Sequence, residues 1–199
     1  MVKRYAISVF LSLAFLLSVV PAATCSENGG LPPDGGFAAC HVFVDVDPNI
    51  AIMPLDPVVS LGSVQTGVFT GTIPFRIDAN TEKVRIWTAA TQLWKGSVYA
   101  PDNEVPPISF ELNSGVEIYA EMGSPVGGAD NRADFTGYHP IDDYPGYVTE
   151  RIVFESAQDG HFSQRVDMVV HWDQADPERP MGEYSGKVKM LAEVVLPAP

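Results

Sequence analysis

Apolar and polar residues alternate with a period of two through most of the chain that follows residue 41. Such a period places successive side chains on opposite faces of a half-buried β-strand. Eight runs of this kind can be read from the sequence. The residues expected to share the buried face are, run by run, Val42, Val44 and Val46; Phe69, Ile73, Phe75 and Ile77; Val84 and Ile86; Ile108, Phe110 and Leu112; Val116 and Ile118; Val148, Ile152 and Phe154; Phe162, Val166, Met168, Val170 and Trp172; and Tyr184, Val188, Met190, Ala192 and Val194.

Turn-forming residues separate these runs. The chain has 17 glycines and 17 prolines, which fall mostly between the runs, and Asp159-Gly160 is a strong hairpin signal. No stretch of ten or more residues after the N-terminal segment shows a helical period. The pattern therefore predicts one all-β domain over residues 41–199, an antiparallel β-sandwich of the Greek-key kind, with a barrel as the alternative.

One long segment, residues 122–147, does not alternate and is rich in glycine, proline, aspartate and aromatic residues. Irregular segments of this length are uncommon in compact domains and often carry function. Its oxygen ligands suit Ca²⁺, although their spacing is not that of an EF-hand, and its aromatic rings suit sugars. A solvated acidic loop, with the rings packed on their own sheet, is the alternative. The candidate ligand residues are Asp130, Asn131, Asp134, Tyr138, Asp142 and Asp143.

The N-terminus has the three parts of a secretory signal. Lys3 and Arg4 are followed by an uncharged apolar run, residues 5–20, and then by the small residues Ala22 and Ala23. We predict a signal peptide over residues 1–22 and a product that is periplasmic, surface-bound or secreted. A membrane anchor is the alternative, but the apolar run is shorter than the roughly 20 residues that span a bilayer.

Residues 23–40 form a Gly/Pro-rich lead-in that contains both cysteines, Cys25 and Cys40. In an oxidising compartment, two cysteines at this spacing most simply form one local disulfide. A metal pair is the alternative, but no CxxC motif or partnering Cys/His set supports it. Cys25 also lies where a lipidated cysteine would be, although the preceding Ala22-Ala23-Thr24 lacks the expected leucine.

The charge and the missing motifs narrow the function classes. The formal net charge is −13, and removal of Lys3 and Arg4 with the signal would bring it to −15. Such a chain would be repelled by nucleic acids and by anionic membrane surfaces. The sequence has no Gly-x-Ser-x-Gly elbow, phosphate-binding Gly-Lys loop or HExxH motif. We therefore predict a non-enzymatic protein that needs no cofactor or metal.

Two stretches resemble a known family. Residues 58–96 read as a Leu-Gly turn, a strand, a polar Asp-Ala-Asn corner, a second strand and a Lys-Gly turn. Residues 182–186, Gly-Glu-Tyr-Ser-Gly, open the final alternating run. Together they resemble the pilin subunits of chaperone–usher systems, including the spore coat protein U branch.

The resemblance implies an immunoglobulin-like, pilin-type sandwich that lacks its last strand and is completed by strand addition. The expected partners are a periplasmic chaperone, an outer-membrane usher and other pilin-like subunits. The expected function is that of a structural subunit of a pilus or coat, or of an adhesin-like relative. One wall of the strand-addition groove would be formed by Tyr184, Val188, Met190, Ala192 and Val194.

Two features depart from that family. Residues 23–39 do not alternate as a donor segment should, and the cysteines precede the body of the domain. The alternative function is a stand-alone secreted β-sandwich that binds a carbohydrate, Ca²⁺ or a protein through residues 122–147.

Overall fold

A computed structural model describes residues 42–97, 100–102, 104–111, 114–142 and 144–196. The predicted signal peptide, the lead-in with Cys25 and Cys40, Leu112 and the candidate ligand Asp143 lie outside the described residues. Residues 47–199 belong to one compact unit, and the short described segment 42–46 belongs to the unit before it. Across the described residues, no helical segment has the length and apolar character needed to cross a bilayer.

The secondary structure of the described residues is almost entirely extended. It comprises fifteen strands and one 3₁₀ turn, Val126–Gly128. The strands are β1 Ile50–Pro54, β2 Gly67–Ala79, β3 Lys83–Thr91, β4 Trp94–Ser97, β5 Ala100–Pro101, β6 Ser109–Phe110, β7 Val116–Ala120, β8 Gly123–Pro125, β9 Arg132–Ala133, β10 Phe135–Tyr138, β11 Gly146–Thr149, β12 Ile152–Ser156, β13 Phe162–Gln174, β14 Tyr184–Ser185 and β15 Val188–Val194.

The first sheet is centred on β2 and β13. These two strands pair antiparallel along their whole lengths, from Gly67 opposite Gln174 to Ala79 opposite Phe162. The strand order is β1-β2-β13-β7-β9, and the short β6 pairs with β13 beyond the end of β7. β13 therefore has a neighbour on each side for most of its length.

The second sheet is centred on β3. Its path is β10-β11-β3-β12-β8, with β15 also paired to β3. β11 and β12 pair with successive parts of β3, while β15 pairs with β3 over the whole span from Val84 to Ala90. Because a strand has only two edges, β15 occupies the edge of β3 opposite to β11 and β12. A third, small sheet has the order β14-β4-β5.

The two large sheets enclose one hydrophobic core, as the alternating pattern predicts. Ile77, Met168 and Val170 from the first sheet and Ile86 and Phe154 from the second are fully buried in the same cluster. Burial of such side chains removes apolar area from water at about 25 cal/mol per Å². The prediction of an all-β antiparallel sandwich is thereby confirmed.

Two predicted strand faces are wrong in detail. Val42, Val44 and Val46 lie in no strand, and their side chains are 89%, 83% and 76% exposed. Val148 does not share a face with Ile152, because the register against β3 shifts by one residue between β11 and β12. Such a bulge reverses the alternation of side chains, so Thr149, rather than Val148, is buried.

Residues 122–147 are not the irregular excursion that their composition predicts. The segment contains β8, the 3₁₀ turn, β9, β10 and the start of β11. These strands are only two to four residues long. Such short pieces have no room for a visible period of two, and for this reason the sequence pattern misses them.

Candidate functional site: the free edge of β15

Among the described residues, the strand β15 has a hydrogen-bonded neighbour on one side only. It pairs with β3 from Val188 opposite Ala90 to Val194 opposite Val84. The described residues contain no strand on its other side. An edge of this kind presents a row of unpaired backbone groups that can template another strand.

The register shows which backbone groups face outward. Thr91 N donates to Lys187 O at 2.9 Å, and Val195 N donates to Lys83 O at 3.1 Å. In an antiparallel ladder, alternate residues turn both backbone groups towards the same neighbour. The odd-numbered residues therefore bond to β3, and the N–H and C=O groups of Val188, Met190, Ala192 and Val194 point to the open side.

The same four residues direct their side chains towards the sandwich interior. Met190 is 8% exposed and belongs to the core. Val188 and Ala192 are partly buried and pack against the core, and Val194 is partly buried. The candidate site thus combines an open backbone edge with a row of incompletely covered apolar side chains, the two features that strand addition requires.

Tyr184, the fifth predicted groove residue, lies in a different strand. It belongs to β14 and pairs with Lys95 of β4 instead of with β3. Its ring packs against the core, its hydroxyl donates to Pro180 O at 2.8 Å, and Arg179 lies 5.9 Å above the ring. Tyr184 therefore does not extend the wall formed by β15.

The glycines of the Gly-Glu-Tyr-Ser-Gly stretch account for this break between β14 and β15. Gly182 has a φ of 150°, which L side chains rarely adopt. A Cβ on Gly186 would come within 2.8 Å of Thr91 Oγ1 and 2.9 Å of the Gln92 carbonyl oxygen. Thr91 Oγ1 also accepts the N–H of Lys187 at 2.8 Å. The chain therefore changes sheets here in close contact with the end of β3.

The first strand, β1, borders the same side of the sandwich. Ile50 pairs with Ala79, just before the turn into β3, and Val194 pairs with Val84, just after that turn. β1 approaches β15 without forming a ladder with it. Both strands therefore reach the turn between β2 and β3.

The turn of the hairpin formed by β10 and β11 contacts β15. In this turn, Asp142 bonds Lys187 Nζ at 2.7 Å and lies 3.4 Å from Lys189 Nζ. Lys187 Nζ lies 4.9 Å from the Tyr144 ring centroid, and Ile141 is fully buried. The two lysines, Lys187 first, hold the pKa of Asp142 below its usual value.

Asp142 is also the non-glycine residue with a positive φ, 55°, among the described residues. A backbone in this region costs free energy and persists only where surrounding contacts fix it. The contacts of Asp142 to both lysines meet that condition. The sequence singles out Asp142, but as a metal ligand, and it gives no sign of the lysine partners because they lie 45 and 47 residues away.

Three other candidate ligands of residues 122–147 make separate contacts, and Asp130 is exposed. Asp134 bonds Arg132 at 2.9 Å, and the Asn131 carbonyl accepts Ile118 N at 2.8 Å. Tyr138 is 64% exposed, with its ring edge-on to Tyr147 at 6.2 Å. No group of three or more His, Cys, Asp or Glu residues that could hold a metal ion occurs among the described residues. The Ca²⁺ alternative therefore gains no geometric support from them.

Comparison of the chain with models of protein families, with curated proteins and with solved structures returned no match. The fold thus establishes an all-β antiparallel sandwich, in which the described residues leave one edge of β15 unpaired.

Proposed function

We propose that the protein is an exported structural subunit of a surface assembly, a pilus or coat, that is joined to its neighbours by β-strand addition at β15. The observation that carries this proposal is the one-sided pairing of β15, with its inward row Val188, Met190, Ala192 and Val194 incompletely covered. A periplasmic chaperone would cover the edge before assembly, and an usher would exchange it for a neighbouring subunit's segment.

The strand order supports this proposal. Immunoglobulin-type sandwiches place strands A, B, E and D in one sheet and C, F and G in the other. The order β1-β2-β13-β7 matches A-B-E-D by position, and β15-β3 matches F-C. The position of G is the open side of β15. One difference is that β11 and β12, which flank β3 on its far side, come after β7 in the chain.

The segment before β1 supplies a second argument. Val42, Val44 and Val46 alternate with Phe43 and Asp45, and the three valines are largely exposed. An extended segment whose alternate side chains are apolar is the form of ligand that a strand edge accepts. Residues 42–46 are too few to pair with the whole of β15, Val188–Val194. A longer donor segment from another subunit is therefore the expected ligand.

Donor peptides test this proposal on the exported protein. One peptide would copy residues 41–47, and a longer one would alternate valine with threonine. We expect the longer peptide to raise the melting temperature, because a ligand that binds only the folded state stabilises it by mass action. Hydrogen exchange should then show new protection at the amides of Val188, Met190, Ala192 and Val194.

Two single substitutions in β15 provide the control. Val188→Asp adds a charge to the inner face and should abolish the shift with the longer peptide. Leu191→Asp adds the same charge to the same strand on its outer face, opposite Trp87, and should keep the shift. A soluble protein that melts sharply and responds to neither peptide would mean that the edge is already complete. The function would then be that of a stand-alone binding module.

A further inference from the structure

The outer face of the first sheet carries a depression of about 320 Å³ that is remote in sequence from β15. It is lined by Tyr119, Ala120, Glu121, Arg165 and Asp167. Tyr119 lies opposite Asp167 in the ladder of β7 with β13, and Glu121 N donates to Arg165 O at 3.0 Å. The depression therefore lies where β7 ends beside the middle of β13, on a framework of regular backbone pairing.

The Tyr119 ring is held in an unusual direction for an outward-facing strand residue. Its hydroxyl donates to Glu117 Oε2 at 2.5 Å. Glu117 lies two positions earlier on the same face, so the ring must lean along β7 instead of standing upright. This bond raises the pKa of Tyr119, which keeps the hydroxyl protonated and able to donate. Tyr119 is 46% exposed and lines the depression together with Glu121 and Arg165.

The rim of the depression is polar and partly fixed. Arg165 Nε donates to Asp167 Oδ1 at 2.7 Å, which orients both side chains. This pair retains further guanidinium donors and a second carboxylate oxygen. Glu121 adds another carboxylate. An exposed aromatic ring beside a set of paired donors and acceptors is complementary to a molecule with one apolar face and several hydroxyls.

We propose that this depression binds an uncharged pyranose sugar, with the C–H face of the sugar on the Tyr119 ring and its hydroxyls on Arg165, Asp167 and Glu121. The site differs from residues 122–147, where composition alone places a sugar ligand. Its carboxylates outnumber its single guanidinium, so an anionic sugar is disfavoured. Such a site gives the protein a binding activity that does not depend on strand addition.

Saturation-transfer NMR on the exported protein tests the site. The probes are the methyl glycosides of glucose, galactose, mannose and N-acetylglucosamine, with sialic acid as the anionic comparison. We expect transfer to the axial C–H protons of one or more neutral glycosides and none to sialic acid. Tyr119→Ala should weaken that binding about tenfold, since aromatic contacts of this kind contribute about that factor.

Tyr138→Ala is the matched control, because Tyr138 is also an exposed strand tyrosine. It should leave sugar binding unchanged, and Tyr119→Ala should leave the donor-peptide response of β15 unchanged. Circular dichroism would check that each variant is folded. The proposal is overturned if no neutral glycoside binds, if Tyr119→Ala binds as well as the native protein, or if Tyr138→Ala alone removes binding.

Discussion

β13 and β15 have the same alternating pattern in the sequence but different surroundings in the fold. β13 pairs with β2 on one side and with β7 and β6 on the other. Its inward residues Phe162, Val166, Met168 and Val170 are fully buried. Within the part of the chain that the structure describes, β15 pairs with β3 alone, and of its inward residues only Met190 is buried.

The comparison separates two kinds of information. Alternation reports which side chains of a strand face the core, because it reflects the pleat of that strand. The number of strands that pair with a given strand depends on the topology of the sheet, and the alternation within that strand does not indicate it. The unpaired edge of β15 is therefore a property of the topology, and experiments that treat the two strands alike should give unequal results.

The largest difference should come from a buried charge. Val170→Asp would place a carboxylate at a fully buried position between Gly71 and Val116. We expect no cooperative unfolding transition in this variant, because the penalty for an unpaired buried charge is comparable with the whole free energy of unfolding, about 5–15 kcal/mol. Val188→Asp should still fold, since its side chain can reach solvent at the open edge. Thermal unfolding followed by circular dichroism measures both.

If Val188→Asp also fails to fold while Leu191→Asp folds, the inner side of β15 is as closed as that of β13. The proposed difference between the two strands would then be wrong, and so would the strand-addition site at β15. If both β15 variants fold and Val170→Asp does not, the unequal surroundings of the two strands are supported.

A smaller effect is expected in the hairpin formed by β10 and β11. A Cβ on Gly146 would lie 2.5 Å from the His139 carbonyl oxygen and 2.9 Å from Ile141 Cγ1. Gly146→Ala should therefore lower the free energy of unfolding by about 1–3 kcal/mol through overpacking. Gly137→Ala, on the neighbouring strand β10, meets nothing within 4 Å and should change little. Urea denaturation compares them, and equal midpoints would mean that the hairpin moves freely to admit the methyl group.

The sequence predicts this fold to the extent that individual strands are long. β2 and β13 are 13 residues each, and their buried faces follow directly from alternation. The prediction fails where one extra residue reverses the alternation, as at Glu150 and Arg151, which lie opposite Trp87 alone. Alternation alone does not indicate the open edge either, because the charged and apolar residues of β15 are those of any half-buried strand; the groove residues Val188, Met190, Ala192 and Val194 are expected from the family resemblance instead.

The depression beside Tyr119 and the contacts of Asp142 are also not predictable from the sequence. Both depend on residues brought together from distant parts of the chain: Arg165 beside Glu121, and Lys187 beside Asp142. The tyrosine and the aspartate are visible as residue types. Their partners become visible only once the register of β13 with β7, and of β15 with β3, is known.

The smallest effect should come from removing the charge of Asp142. Asn tolerates the positive φ at this position as well as Asp does, so Asp142→Asn changes the charge and leaves the backbone preference intact. We expect a lower melting temperature and faster amide exchange in β15, because Lys187 and Lys189 lose their shared carboxylate.

The effect of Asp142 should depend on pH, because its pKa is lowered in the folded state. The stabilisation by the Asp142 carboxylate is complete above the unfolded-state pKa, near 3.9, and is lost as the pH falls through the lower folded-state pKa. The difference between the native protein and Asp142→Asn should thus be present at neutral pH, shrink in high salt and vanish in acid. The control is Asp134→Asn, which breaks an exposed ion pair with Arg132, only two positions away, and should leave amide exchange in β15 unchanged. Equal amide exchange in the Asp142→Asn and Asp134→Asn variants would show that the hairpin does not hold β15 in place.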